Sequence, residues 1–184
     1  MDVVHAAVQE FNIRGFEATT MGHVAKRLSI SKPALYHHIG SKEEILEETV
    51  GRALDSLEGV WEEIAEKQAP AVDRLRLLID GSIHVMSEYP EAVALLVRLR
   101  GNSPVEEKAL RRRRAITRDV IALVVEAQEN GEIRTDIDAR TIGRMLFGLI
   151  NSVAEWFEPG GRLSAEEVSE NVCAMVFNGI CKVG

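Results

Sequence analysis

Residues 19–38 read TTMGHVAKRLSISKPALYHH, and this stretch decides the fold. It holds two short segments of helical character with a brief turn between them. Thr19 or Thr20 is suited to cap the first helix and Ser31 the second, because hydroxyl side chains accept hydrogen bonds from the first N–H groups of a helix. Ala25 is small at a position where a second helix has to cross closely. The pattern predicts two helices joined by a tight turn.

The second of these helices has one inward and one outward face. Leu35 is placed to pack with the earlier Phe11 and Phe16. The opposite face carries small, basic and aromatic side chains: Lys32, Pro33, Tyr36 and His37. A short helix with such a face fits the major groove of DNA, which is about 12 Å wide. We therefore predict a helix-turn-helix that binds double-stranded DNA.

The composition of the whole chain limits the other possibilities. It has 184 residues, 46% of them hydrophobic, and a net charge of −7. This composition excludes disorder as the main state. Residues 142–157 form one of the most apolar stretches, but Arg144, Asn151 and Glu155 interrupt it well before the roughly 18 apolar residues of a membrane span. With no signal-peptide pattern at residues 1–5, a cytoplasmic protein without a membrane partner is expected.

Helix signals extend along the chain, and strand signals are missing. Capping-box patterns begin at Ser41, Ser103 and Ser164. An all-α fold of about nine helices is predicted, near 2–14, 20–27, 31–38, 41–67, 70–88, 90–100, 104–129, 137–157 and 164–182. The lengthening of the helices after residue 41 suggests a DNA-binding domain at 1–48 and a larger helical domain at 49–184.

The negative total charge does not extend to the helix-turn-helix. Between Phe11 and Lys42 there are five basic residues and one acidic residue, which makes this stretch +4. Phosphate contacts are screened over about 10 Å at moderate salt, so this local charge counts for more than the total. An acidic protein of this kind can still bind DNA.

These residues resemble the DNA-binding domain of the TetR family of transcriptional repressors. The match runs over Phe11, Gly15-Phe16, Thr19-Thr20, the segment 25–36 and Lys42 to Glu44. The sequence departs from the family pattern in having Ser29 for the turn glycine, an early Pro33, and Ile39 for a phenylalanine. The resemblance implies DNA contacts by Thr20, Ser31, Lys32, Pro33, Tyr36, His37 and Lys42.

The helices after residue 70 predict either a solid core or a core with a ligand cavity. Periodicity cannot separate the two, and the family resemblance favours a cavity for an inducer, with Met86 as an adaptable lining residue. The run Arg111–Arg114 is either a solvated face paired with Glu106 and Glu107 or the binding site of an anionic head group.

Residues 146–167 carry the pattern Asn…Trp-aromatic-x-Pro-x-Gly-x-Leu-Ser-x-Glu-Glu. This region resembles the TetR subgroup that senses coenzyme A thioesters of fatty acids or steroid-ring fragments. The resemblance implies an acyl-CoA or similar lipophilic anion as effector, with no further cofactor. The proposed contacts are Met86, Leu99, Arg112, Arg113, Ile116, Leu146, Asn151 and Trp156.

The last two helices have apolar stripes wider than one packing partner requires. Paired with their symmetry mates, they would form a four-helix dimer interface. The residues expected there are Ile150, Val153, Phe157, Val172, Met175, Val176 and Ile180. The resemblance implies the same homodimer, and therefore a palindromic operator.

Two other functions are possible for a helical chain of this kind, an enzyme and a protein-binding module. An all-helical enzyme would need a nucleophile or an acid–base pair in a cleft, and His84 has no evident partner for this. Cys173 and Cys181 lie too far apart on one helix for a disulfide and have no nearby His for a zinc site, so no metal site is expected. A helical protein-binding module stays the alternative, distinguished by a lack of DNA binding at low salt.

Overall fold

The computed structural model describes residues 3–37 and 39–180, and across them it forms an all-helical fold. Nine helices occupy these residues: α1 (Val3–Arg14), α2 (Met21–Leu28), α3 (Lys32–Tyr36), α4 (Lys42–Ala65), α5 (Ala71–Glu88), α6 (Pro90–Arg98), α7 (Pro104–Glu129), α8 (Ala139–Trp156) and α9 (Ala165–Ile180). The predicted fold class and the predicted order of helices are confirmed.

Polar caps start the helices where the sequence predicts them. The Thr20 hydroxyl accepts a hydrogen bond from the His23 N–H at 3.3 Å, and the Ser31 hydroxyl accepts one from Ala34 at 3.3 Å. Ser164 and Glu167 form a complete capping box, with bonds of 2.8 and 3.2 Å in the two directions. These bonds fix the first turns of α2, α3 and α9.

The turn between α2 and α3 keeps its tight form without a glycine. Ser29 has φ 58°, in the left-handed region that costs most side chains free energy. The N–H of Ile30 still reaches the carbonyl of Ala25 at 3.0 Å, which closes the end of α2. The turn is therefore tight, with Ser29 in the left-handed conformation at the position where the family pattern has glycine.

The described chain divides into two compact units. The first takes residues 1–54 together with 91–112, and the second takes 55–90 together with 113–184. This grouping differs from the sequence-based division at residue 48, because α6 and the start of α7 contact the DNA-binding helices. Asn12 of α1, for example, donates from Nδ2 to the Glu91 carbonyl at 3.1 Å.

Each unit has its own core. In the first, Phe11 and Phe16 meet edge to face with ring centres 5.1 Å apart, and Leu35 is fully buried, as the sequence predicts. In the second, α5 packs against α8 and α9. Gly143 lets α8 approach α7 closely, since a Cβ there would lie 2.6 Å from the Cγ1 of Ile121. No helix of the described chain is long and apolar enough to cross a membrane.

Candidate nucleic-acid interface

The residues proposed for DNA contact lie on the outer face of the helix-turn-helix. Thr20, Ser31, Lys32, Pro33, Tyr36 and His37 are all exposed. Tyr36, with 53% of its surface accessible, shows its ring and hydroxyl to solvent instead of packing in the three-helix core. The short α3 thus presents cationic, aromatic and imidazole groups together on one open face.

Two of these residues have a second role in forming the face. The Thr20 and Ser31 hydroxyls accept the capping hydrogen bonds of α2 and α3. A hydroxyl that accepts a bond keeps its own proton as a donor. Each can therefore donate to a phosphate oxygen while it holds its helix in place.

Lys42 is placed differently from the other six residues. Its ammonium donates to the carbonyls of Phe16 at 3.1 Å, Glu17 at 3.3 Å and Thr19 at 3.2 Å. It also lies 4.4 Å from the centre of the Phe16 ring. An ammonium has three protons, and all three are used here. The structure therefore makes Lys42 a tie between the start of α4 and the α1–α2 loop, in place of the phosphate contact expected from the sequence.

The basic charge of this region is smaller than the count between Phe11 and Lys42 suggests. Glu10, just outside that stretch, is only 5% exposed and bonds Arg14 at 2.5 Å and Arg27 at 2.7 Å. The Arg14 hydrogen bond is the main cause that lowers the pKa of Glu10, and Arg27 adds to it against the effect of burial. Lys26 and Lys32 are then the exposed cations on α2 and α3 that have no part in this network.

Sequence reasoning did not identify the role of Gly22. A Cβ at this position would lie 2.7 Å from the Cε atom of Lys32, so the missing side chain gives the lysine its path across α2. The signal was available, because a glycine inside a short amphipathic helix costs about 1 kcal/mol and usually has a packing reason.

The proposed effector contacts are divided between the two units. Met86, Ile116 and Leu146, from α5, α7 and α8 of the second unit, are buried. Arg113 and Asn151 in the same unit are half-buried. Leu99 and Arg112 belong to the first unit. Trp156 is 55% exposed, so within the chain it is not the enclosed wall that the sequence suggested.

The proposed dimer residues need a correction. Ile150, Val153, Val172 and Val176 are at most 8% exposed and pack inside the protomer, which leaves them little surface to bury against a partner. Phe157 is half-buried, Met175 is 59% exposed, and the side chain of Ile180 lies outside the described residues. The exposed residues of α8 are Thr141, Met145, Gly148, Ser152 and Trp156, with the charged Arg140, Arg144 and Glu155 beside them. The sequence pattern detected two wide apolar helices and assigned their inner faces to the interface.

A compact helix-turn-helix with an exposed recognition face, followed by longer helices, defines a DNA-binding transcriptional regulator. Family comparison agrees with this class. The profile of "Bacterial regulatory proteins, tetR family" matches residues 3–49, and that of "Tetracyclin repressor-like, C-terminal domain" matches residues 68–180. The chain belongs to the TetR family of transcriptional regulators.

Similar proteins cover almost the whole chain. The HTH-type transcriptional repressor KstR2 of Mycobacterium tuberculosis H37Rv is 28% identical over 190 residues, which span 100% of this chain and 93% of that protein. The fatty acid metabolism regulator protein of Bacillus subtilis is 24% identical, over 98% and 94% of the two chains. Among solved structures, the TetR-family member SCO3833 of Streptomyces coelicolor is 37% identical, with a TM-score of 0.88 over 99% of this chain and 92% of the other.

Proposed function

We propose that this chain is a ligand-responsive repressor that binds a palindromic operator as a homodimer. The observation that carries the proposal is the outward face of α2 and α3, where six of the seven proposed DNA contacts are exposed together. A homodimer would place two such faces on successive major grooves, roughly 34–36 Å apart.

An acyl-CoA or similar lipophilic anion is the proposed effector. The buried Met86, Ile116 and Leu146 offer an apolar environment within one compact unit. Arg113 lies three residues before Ile116, on the same face of α7, so its guanidinium can meet an anionic group at the end of an apolar ligand. The similarity to a fatty acid metabolism regulator protein and to a ketosteroid transcriptional regulator supports a lipophilic effector.

A gel-shift titration tests the DNA-binding face, with an operator selected by the wild-type protein from random duplexes. Tyr36→Ala is expected to weaken binding at least about 30-fold, because a dimer loses two base-edge contacts worth about 1–3 kcal/mol each. Lys32→Ala should reduce the slope of log K against log salt by about 2, since a dimer loses two phosphate contacts. Lys67→Ala, an exposed lysine of the second unit two residues after the end of α4, serves as the control.

The same assay examines the effector. Palmitoyl-CoA and shorter acyl-CoA thioesters are expected to release the operator complex, while free coenzyme A at equal concentration leaves it intact.

If the Tyr36 and Lys32 variants both bind like the wild type, the assigned face is wrong. If no DNA is bound even at low salt, the alternative of a protein-binding helical module takes its place.

A further inference from the structure

A cavity of about 250 Å³ lies within the first unit, between residues 11–18 and residues 95–106. Its apolar lining comes from side chains that are at most 5% exposed: Phe11, Phe16, Leu95 and Leu99. A water molecule takes about 30 Å³ in the liquid, so the space holds about eight waters or an organic molecule of similar size. The inner wall suits a small apolar group.

Cations line the outer part of the same cavity. Arg14, Arg98 and Arg100 are exposed lining residues that outnumber the one exposed carboxylate, Glu17, and Arg14 is bonded to Glu10 at 2.5 Å. Arg98 donates one Nη1 hydrogen bond to the Asn12 carbonyl at 3.0 Å. A guanidinium has five N–H donors in a fixed fork, so this bond still leaves Arg98 able to bind a carboxylate.

The buried acid of the cavity does not cancel this charge. Glu106 is 2% exposed, and its Oε2 accepts hydrogen bonds from the backbone N–H groups of Arg100 at 3.2 Å, Gly101 at 2.7 Å and Asn102 at 2.9 Å. These donors and the N-terminus of α7 compensate its negative charge. The same bonds fix the α6–α7 loop that carries Arg100, so the cationic rim is held in place.

A polar atom beside the cavity lacks a hydrogen bond. The Oδ1 atom of Asn12 is buried and has no partner among the described residues. Its Nδ2 atom is bonded to the carbonyls of Val8 at 3.2 Å and Glu91 at 3.1 Å, which fixes the orientation of the amide. Buried polar atoms without partners are rare in folded proteins, and a water held in the cavity would supply the donor that Asn12 Oδ1 lacks, since a carboxylate only accepts hydrogen bonds.

We propose that this cavity binds a small monocarboxylate with an apolar body. The body packs against Phe16 and Leu99, and the carboxylate lies between Arg98 and Arg100. The occupant takes the remaining N–H groups of the Arg98 guanidinium, whose Nη1 bond to the Asn12 carbonyl is one of the ties between α1 and α6, and it thereby holds Arg98 in that position. The site is therefore a second input to the DNA-binding helices, and it does not depend on the acyl-CoA effector proposed above.

Thermal unfolding of the full chain without DNA tests the site, with benzoate and hexanoate as probes. Sodium chloride keeps the ionic strength constant, and benzyl alcohol and hexanol serve as neutral compounds of similar shape. At ten times the dissociation constant, either carboxylate is expected to raise Tm by about 3–6 °C. The alcohols, which lack the charge that the arginines recognise, should leave Tm nearly unchanged.

Two variants locate the effect. Arg100→Gln removes a rim cation, and Ala18→Phe fills the mouth of the cavity from an exposed lining position. Both should abolish the shift, while Arg118→Gln, an exposed arginine on the second unit's part of α7, should keep it. The proposal is overturned if neither carboxylate raises Tm, if the alcohols raise it equally, or if the shift persists in Ala18→Phe.

Discussion

Glu10 shows how one buried carboxylate changes the electrostatics of a DNA-binding unit. It bonds Arg14 in its own helix and Arg27 in α2, and Arg27 also donates to the Gln9 side chain at 2.9 Å. Arg27 therefore joins α2 to α1, and Glu10 offsets part of the charge of both arginines. No charge count along the sequence could show this, because Glu10 and Arg27 are 17 positions apart.

Replacing Glu10 with glutamine is expected to destabilise the protein by about 1–3 kcal/mol at neutral pH, because two arginines lose a charged acceptor. The pKa of Glu10 is lowered from 4.5 in the folded protein. Its contribution is thus complete above that pH and is lost as the pH falls through the lowered value. Urea unfolding at about pH 7 and about pH 3 checks this: the difference between wild type and variant should shrink in acid. Glu17→Gln, an exposed carboxylate nearby, should show little effect at either pH.

At the scale of helices, the sequence predicts the features that neighbouring residues determine and misses those that contacts between distant parts of the chain determine. The starts of α2, α3 and α9 could be predicted because a cap involves residues only three positions apart. The role of Lys42 could not, since its ammonium meets carbonyls 23 to 26 positions earlier in the chain. The sequence also gave His84 no partner, yet the packing of α5 on α9 brings Glu166 to 3.5 Å from its Nε2 atom.

His84 is expected to make the α5–α9 contact sensitive to pH. Its hydrogen bond to the Asp80 carbonyl is the main cause that raises its pKa, and the carboxylates of Asp80 and Glu166 add to this against burial. A raised pKa contributes stability that is complete below 6.5 and is lost as the pH rises through the higher value. The ring is 44% exposed, so solvent screening limits the effect to less than about 1 kcal/mol.

His84→Gln should therefore lower Tm by about 1–3 °C at pH 6 and by less at pH 8.5. Differential scanning calorimetry at the two pH values measures this. Glu170→Gln, which changes an exposed carboxylate on α9 one turn beyond Glu166, provides the comparison. Equal losses of Tm at both pH values would mean that the imidazole contributes packing only.

For the whole molecule, hydrophobic periodicity predicts an association surface on the last two helices without resolving which side of each helix faces outward. Both α8 and α9 carry apolar residues around more than half of their circumference. Apolar residues therefore recur at intervals of three and four positions on either side of each helix. Packing against α5 determines which side of α8 and α9 faces inward, and Ile150, Val153, Val172 and Val176 are buried on that side. Met145 and Trp156 on α8 and Met175 on α9 are then the large apolar side chains left at 66%, 55% and 59% exposure.

A homodimer built on these exposed faces makes a specific prediction about charge. Met145→Glu together with Met175→Glu should raise the dimer dissociation constant at least about 30-fold, since burying even one unpaired carboxylate costs more than about 2 kcal/mol. Both side chains are exposed in the protomer, so the variant should fold with unchanged helicity. Analytical ultracentrifugation measures the constant, and Val125→Glu, an apolar residue of α7 with 38% exposure, is the matched control. A dimer that persists in the double variant and dissociates in the control would place the interface on α7. If only the double variant dissociates, it should also lose binding to the full palindrome, because its protomers no longer bind as a pair although the recognition face of each is intact.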